Sequence, residues 1–130
     1  MAGKLHLTEI GRVAIPTTDP DRALAFYVDT LGFELRSDET FAGGKMRWIE
    51  VAPRGATTTI ALAPPMEGAP RSIHTGIVIG TSDIEADHAA LKAAGVDLDA
   101  EIARWGDPVP PMFRFNDPDG NGLTVAQYAS

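Results

Sequence analysis

Arg12, Glu50 and His74 are the side chains whose type and spacing allow chemistry within otherwise apolar stretches. Arg12 interrupts Ile10-Gly-Arg-Val-Ala-Ile15, Glu50 alternates with Trp48 in Lys45-Met-Arg-Trp-Ile-Glu-Val51, and His74 opens the run to Ile79. A guanidinium on an apolar surface is costly unless it is ion-paired or touches a ligand, and Glu50 is its candidate partner. His74 and Glu50 are also two donors toward a metal site, short of the three or four that such a site needs. A hydrogen-bonding histidine at a cavity rim is the simpler role for His74. Trp48, Trp105 and Met112 are large enough to line a pocket or to fill a core. The absence of cysteine removes disulfides, thiolate zinc sites and thiol nucleophiles. Neither a Gly-rich phosphate loop nor a G-x-S-x-G elbow is present.

The elements that must position these residues repeat. The stretch Ile10–Ile15 alternates as a strand, with Val13 and Ile15 on one face and Arg12 and Ala14 on the other. Asp19-Pro20-Asp21 starts a helix: a capping carboxylate, a proline at the first helical position and an acid at the positive dipole end. Ala23, Phe26, Tyr27 and Leu31 follow at helical spacing, and Gly32 closes the helix. Strands are expected at Phe33–Arg36, Lys45–Val51 and Thr57–Leu62, separated by Gly- and Pro-containing turns. The same order returns with a strand at Ile73–Ile79, a helix capped at Asp83 and closed at Gly95, a strand entered at Val96-Asp-Leu98, then strands at Met112–Phe115 and Gly122–Val125. These readings give one domain over 1–130: a first βαβββ module at 8–63, a Pro-rich linker at 64–72 and a second module at 73–127. His88 falls at core spacing on the second helix, and His6 lies in an N-terminal arm.

The fold class expected is α+β, two βαβββ modules forming a curved mixed sheet with helices on the outer face and a cavity on the other. Val13, Ile15, Ile60, Leu62, Ile77, Ile79, Leu123 and Val125 are assigned to the helix side. Arg12, Ala14, Ala61, Gly76, Val78 and Thr124 are assigned to the cavity side.

Net charge is −7, and the excess lies in the second half: from Glu67 onward there are 10 acidic and 4 basic residues. Nucleic acid is therefore not expected as a partner, and the acidic half favours a cationic ligand. No signal-like apolar region and no membrane-length apolar run is present, so the expectation is a cytoplasmic protein without a membrane partner.

Three segments in order, Ile10–Leu35, Ile77–Leu98 and Asp117-Pro-Asp-Gly-Asn121 before a last strand, resemble the vicinal oxygen chelate superfamily. That superfamily includes glyoxalase I, bleomycin-resistance proteins, extradiol dioxygenases, methylmalonyl-CoA epimerase and fosfomycin-resistance enzymes. The resemblance implies a homodimer and, in the enzymes, a divalent metal held by His and Glu from four strands. The corresponding positions here are Arg12, Ala61, Gly76 and Thr124, which offer one cation, two side chains without donors and one hydroxyl. No metal or other cofactor is expected. The expected function is that of a bleomycin-resistance-like protein binding a small organic molecule, with Arg12, Trp48, Glu50, His74, Trp105 and Met112 lining the cavity. The alternative is a metal-dependent enzyme of the glyoxalase, epimerase or dioxygenase kind, with a rearranged metal site built on His74 and Glu50.

Overall fold

The computed structural model describes residues 3–128. Their elements run β1 (Arg12–Pro16), α1 (Pro20–Ala25), β2 (Glu34–Phe41), β3 (Met46–Ala52), β4 (Thr59–Ala63), β5 (His74–Thr81), α2 (Ile84–Ala93), β6 (Met112–Asn116) and β7 (Gly122–Gln127). The strands make two hydrogen-bonded sheets, ordered β1-β4-β3-β2 and β5-β7-β6. In each sheet the strand before the helix runs parallel to the last strand of its module, and the other pairs are antiparallel. This is an α+β arrangement of two related units.

The helix starts follow the capping chemistry. Asp19 accepts from the Arg22 amide at 3.2 Å, and Asp83 from the Ala86 amide at 3.1 Å. Between its capping Asp and its closing Gly, the first helical segment is one residue longer than the second. The extra residue is absorbed by widening: α1 continues as a π-helical stretch, Phe26–Thr30, in which the Leu31 amide reaches the Phe26 carbonyl at 2.9 Å. The sequence spacing predicts ordinary helix to Leu31, and this widening is the departure from it. Phe26 and Tyr27, though consecutive, are both buried, with ring centroids 5.4 Å apart edge to face.

A second departure lies after α2. Instead of a full strand from Val96, two isolated bridges join Leu98 to Phe115 and Ala103 to Met112. Side chains take over part of the ladder there. Asp97 accepts from the Asn116 side-chain amide at 2.8 Å, and Asp99 from the Arg114 backbone amide at 2.9 Å. The free edge of β6 is covered without a fourth strand.

The helix-side faces of both sheets share one core. Ile15, Ile49, Leu62, Phe113, Phe115 and Leu123 belong to it together with Phe26, Tyr27 and residues of α2. Ile77 and Ile79 pack against it half-buried. His88 lies edge-on to Phe113 at 4.9 Å and its Nε2 bonds the Asp99 carbonyl, so it is part of the packing. No helix among the described residues is long and apolar enough to cross a membrane.

A polar joint locks the modules together. The turn Asp117–Asn121 between β6 and β7 is buried at both ends, and Gly120 takes φ +88 to close it. The Asp117 carboxylate accepts from the Tyr27 hydroxyl at 2.8 Å, the Asn121 side-chain amide at 3.0 Å and the Asn121 backbone amide at 2.9 Å. The Asp119 carboxylate accepts from the Thr17 hydroxyl at 2.6 Å and from the Thr18 hydroxyl and amide at 2.9 Å. Asn121 also donates to the Pro16 carbonyl at 2.8 Å. Burial, then the neighbouring Asp117, pushes the Tyr27 phenol far up, so it stays a donor. Replacing Asp117 with Ala strands three buried donors, and urea denaturation should show a loss of about 2–4 kcal/mol. Asp119→Ala, on the more exposed side of the joint, should cost only about 1 kcal/mol by the same measurement.

Candidate functional site

The sheet faces turned away from the core carry the candidate residues. In the first sheet the register sets Arg12 opposite Thr59, and Ala61 opposite both Ala14 and Glu50. Alternation adds Trp48, Pro16 and Ala63 to the same face. Small residues on β1 and β4 leave space there, and Trp48 and Glu50 on β3 border it.

Glu50 is the centre of this face. Its Oε1 accepts from the Thr59 hydroxyl at 2.6 Å, and its Oε2 from the Trp48 indole N–H at 2.7 Å. The Arg12 Nε lies 3.3 Å from Oε2. The Thr59 hydroxyl, then the Trp48 indole, hold the Glu50 carboxyl below its ordinary value against the cost of burial, and the Arg12 charge adds to this. Exposure differs within the pair: the Glu50 side chain is 14% exposed and Arg12 58%. The guanidinium carbon sits 6.0 Å from the Trp48 ring centroid, at the edge of cation–π range.

Trp48 also borders a cleft of about 310 Å³, lined with Ala14, Pro16, Ala63, Pro65, Met66 and Ile73. It is an apolar slot at one end of the face, walled by the segment between the modules. A concave apolar space beside a few convergent polar groups is the usual form of a small-molecule site.

The second sheet carries its own outward face. Arg114 stands opposite Thr124, which stands opposite Val78; Asn116 and His74 flank Gly122. Gly76, at φ +72, lies in an irregularity of β5, where the Thr75 hydroxyl donates to the Gly122 carbonyl at 2.7 Å. His74, Arg114, Asn116 and Gly122 border a separate cleft of about 280 Å³, with Asp97 and Asp99.

Of the six residues expected to line one cavity, the structure brings Arg12, Trp48 and Glu50 into contact. His74 and Met112 stand on the second sheet, and Trp105 is 69% exposed on the loop before β6. Three contributors escaped the sequence reading. Thr59 shares Ala61's side of β4 by alternation, which was legible. Arg114's side follows only from the β6–β7 register. Met66 and the prolines around it read as linker, and no pattern marked them as a wall.

The four positions that the resemblance sets against the superfamily's metal ligands carry Arg12, Ala61, Gly76 and Thr124. Arg12 is bound to Glu50 by charge, Ala61 and Gly76 offer no side-chain donor, and Thr124 offers one hydroxyl. These side chains do not fit a divalent ion. Among the described residues, no three His, Asp or Glu side chains converge as a ligand group.

A sequence model of the Glyoxalase/Bleomycin resistance protein/Dioxygenase superfamily matches residues 9–125. The chain belongs to this superfamily. The uncharacterized protein YetH of Bacillus subtilis is 32% identical over 119 residues, covering 88% of this chain and 94% of YetH. Among solved structures, a superfamily member from Sphaerobacter thermophilus superposes with a TM-score of 0.84 at 33% identity, covering 95% of this chain and all of that one. TnmS3, an antibiotic binding protein from Streptomyces sp. CB03234, gives 0.81 at 31% identity, covering 97% of this chain and 100% of its own. This superfamily member thus shares its fold with a relative described as binding an antibiotic.

The Glu50 cluster carries a pH signature. A folded value lowered from 4.5 means that the stabilisation is complete above that pH and is lost as pH falls through the lowered value. Glu50→Gln should therefore be less stable than the parent at ~pH 7, and the gap should narrow as pH falls below 4.5 in urea titrations.

Proposed function

We propose that the chain binds a small organic molecule on the Trp48 face and in its adjoining cleft, holding the ligand without a metal and without transforming it. The observation that carries this reading is Arg12. It stands at the position of the first metal ligand and is committed to an Arg12–Glu50–Trp48 cluster beside an apolar slot. A guanidinium there repels a divalent cation and stiffens an aromatic shelf instead. The likeness to TnmS3, an antibiotic binding protein, supports sequestration as the mode of action.

The same reading includes a homodimer working in the cytoplasm. Each sheet presents an outward face that is only half of a cup, and Val78 on the second face is 47% exposed. Leu5, Leu7 and Ile10 on the arm before β1 are also exposed. A second copy supplying its own sheet face would cover such surfaces and close the cup, with His74, Met112 and Trp105 contributed to the enclosed space from the second module.

The test joins three measurements on the purified chain: metal content after challenge with Mn, Fe, Ni and Zn; thermal shift against aromatic natural products with and without EDTA; and sedimentation. The expected result is near-zero metal, EDTA-insensitive stabilisation by at least one compound recovered unchanged, and a dimer. Stoichiometric metal with product formation would replace this reading by an enzyme. Trp48→Ala should weaken binding of a compound found in this way by ~10-fold or more, read by calorimetry.

A further inference from the structure

We propose that a cleft between the modules on the helix side is a second small-molecule site, separate from the Trp48 face, which takes a zwitterionic apolar amino acid. The cleft measures about 290 Å³ and lies where the end of the first helical segment, the β3–β4 turn, the end of β5 and α2 meet. It opens onto the common core, whose Leu31, Phe33, Leu91 and Phe115 border it. Small-molecule pockets begin at about 300 Å³, so this space suits a molecule of amino-acid size.

The repeat explains why the cleft is open. Thr17 and Thr81 stand at the same place ahead of the two helices, and each hydroxyl accepts from the amide two residues on, at 3.2 Å and 3.1 Å. At the first helix the Thr17 hydroxyl donates to Asp119, which the β6–β7 turn brings across from the other module. At the second, the Thr81 hydroxyl donates to Asp87 of its own α2, and the β3–β4 turn of the other module brings Arg54 to the same cleft. Arg54 is exposed and enters none of the ion pairs among the described residues. One joint is thus made directly, while its counterpart sets a guanidinium from one module and a carboxylate from the other around an open space.

These two charges set the class of ligand. Arg54 and Asp87 are the charged side chains that border the cleft, one of each sign. A simple anion would be repelled by Asp87 and a simple cation by Arg54. An α-amino acid answers both, with its carboxylate on the guanidinium and its ammonium on the carboxylate. Asp87 Oδ2 is held by Thr81, which leaves Oδ1 for the ammonium. On α2, Ala90 and Leu91 follow Asp87 by three and four residues and share its face. They set an apolar wall one turn beyond the head-group position, and the short Ala90 side chain keeps the way to Leu31 and Phe33 open. A molecule seated there touches both modules and so stabilises the orientation that binds it.

The experiment is titration calorimetry on the intact chain with L-phenylalanine, phenethylamine and 3-phenylpropionate, which share a ring and differ in head group. L-Phenylalanine should bind about 10-fold or more tightly than either analogue. Arg54→Met and Asp87→Asn, the second of which keeps an acceptor for Thr81, should each weaken it by about 10-fold or more. Trp48→Ala should leave its affinity within about 3-fold, which separates this site from the outer face. No saturable binding of L-phenylalanine below about 10 mM, or analogues that bind as well as it does, would overturn the proposal. So would a loss with Trp48→Ala that Arg54→Met does not produce. None of these outcomes bears on the reading of the Trp48 face, and the comparison of the three compounds decides on the unaltered chain even where a variant fails to fold.

Discussion

The buried carboxylate of Asp117 is the point on which the two modules depend. The sheets share no backbone hydrogen bonds with each other, so only the common core and this polar joint hold them in one orientation. Hydrophobic packing is not directional, and a core of aliphatic and aromatic residues would tolerate sliding. Asp117 removes that freedom by binding the Tyr27 hydroxyl on the first module and Asn121 on the second, while Asp119 binds Thr17 and Thr18. A fully satisfied buried network of this kind specifies one arrangement, because any other leaves a desolvated polar group without a partner. Here every buried side-chain polar atom among the described residues has a partner.

The joint holds the helix-side faces together and so leaves the other faces outward. That division leaves the candidate residues on faces turned away from the core. On the first sheet, small residues on β1 and β4 clear a surface that Trp48 and Glu50 border, and the segment between modules folds over its end. The chemistry of the face depends on which charge is satisfied and which is free. Glu50 is engaged by its neighbours and half-buried, whereas Arg12 is anchored at one end and exposed at the other.

Much of this was legible in the sequence because it rests on local rules. Period-two alternation placed Ile15, Ile60, Leu62, Leu123 and Val125 on the core side, and the capping aspartates at 19 and 83 start the helices as expected. Alternation likewise put Arg12 and Glu50 on one face and suggested that they pair. The single-residue difference in helix length was visible too, though its consequence, the π-helical widening at Phe26–Thr30, was not. Local pattern does not say whether an extra residue lengthens a helix or bulges it; the burial of Phe26 and Tyr27 together decides that.

What the sequence determined by itself was the inventory: two strand–helix–strands units, their faces and the capping chemistry. Tertiary structure decided everything that depends on register and on approach between distant segments. The side on which Arg114 stands follows from its pairing with Thr124, and the role of the Asp117–Asn121 turn follows from contact with residues about 100 positions earlier. The cleft under Met66 exists only because a proline-rich connection returns over Trp48. The availability of charge at the site is of the same kind. A count of acids and bases is a property of the chain, but whether a carboxylate is free or saturated depends on which donors the fold brings within hydrogen-bond distance.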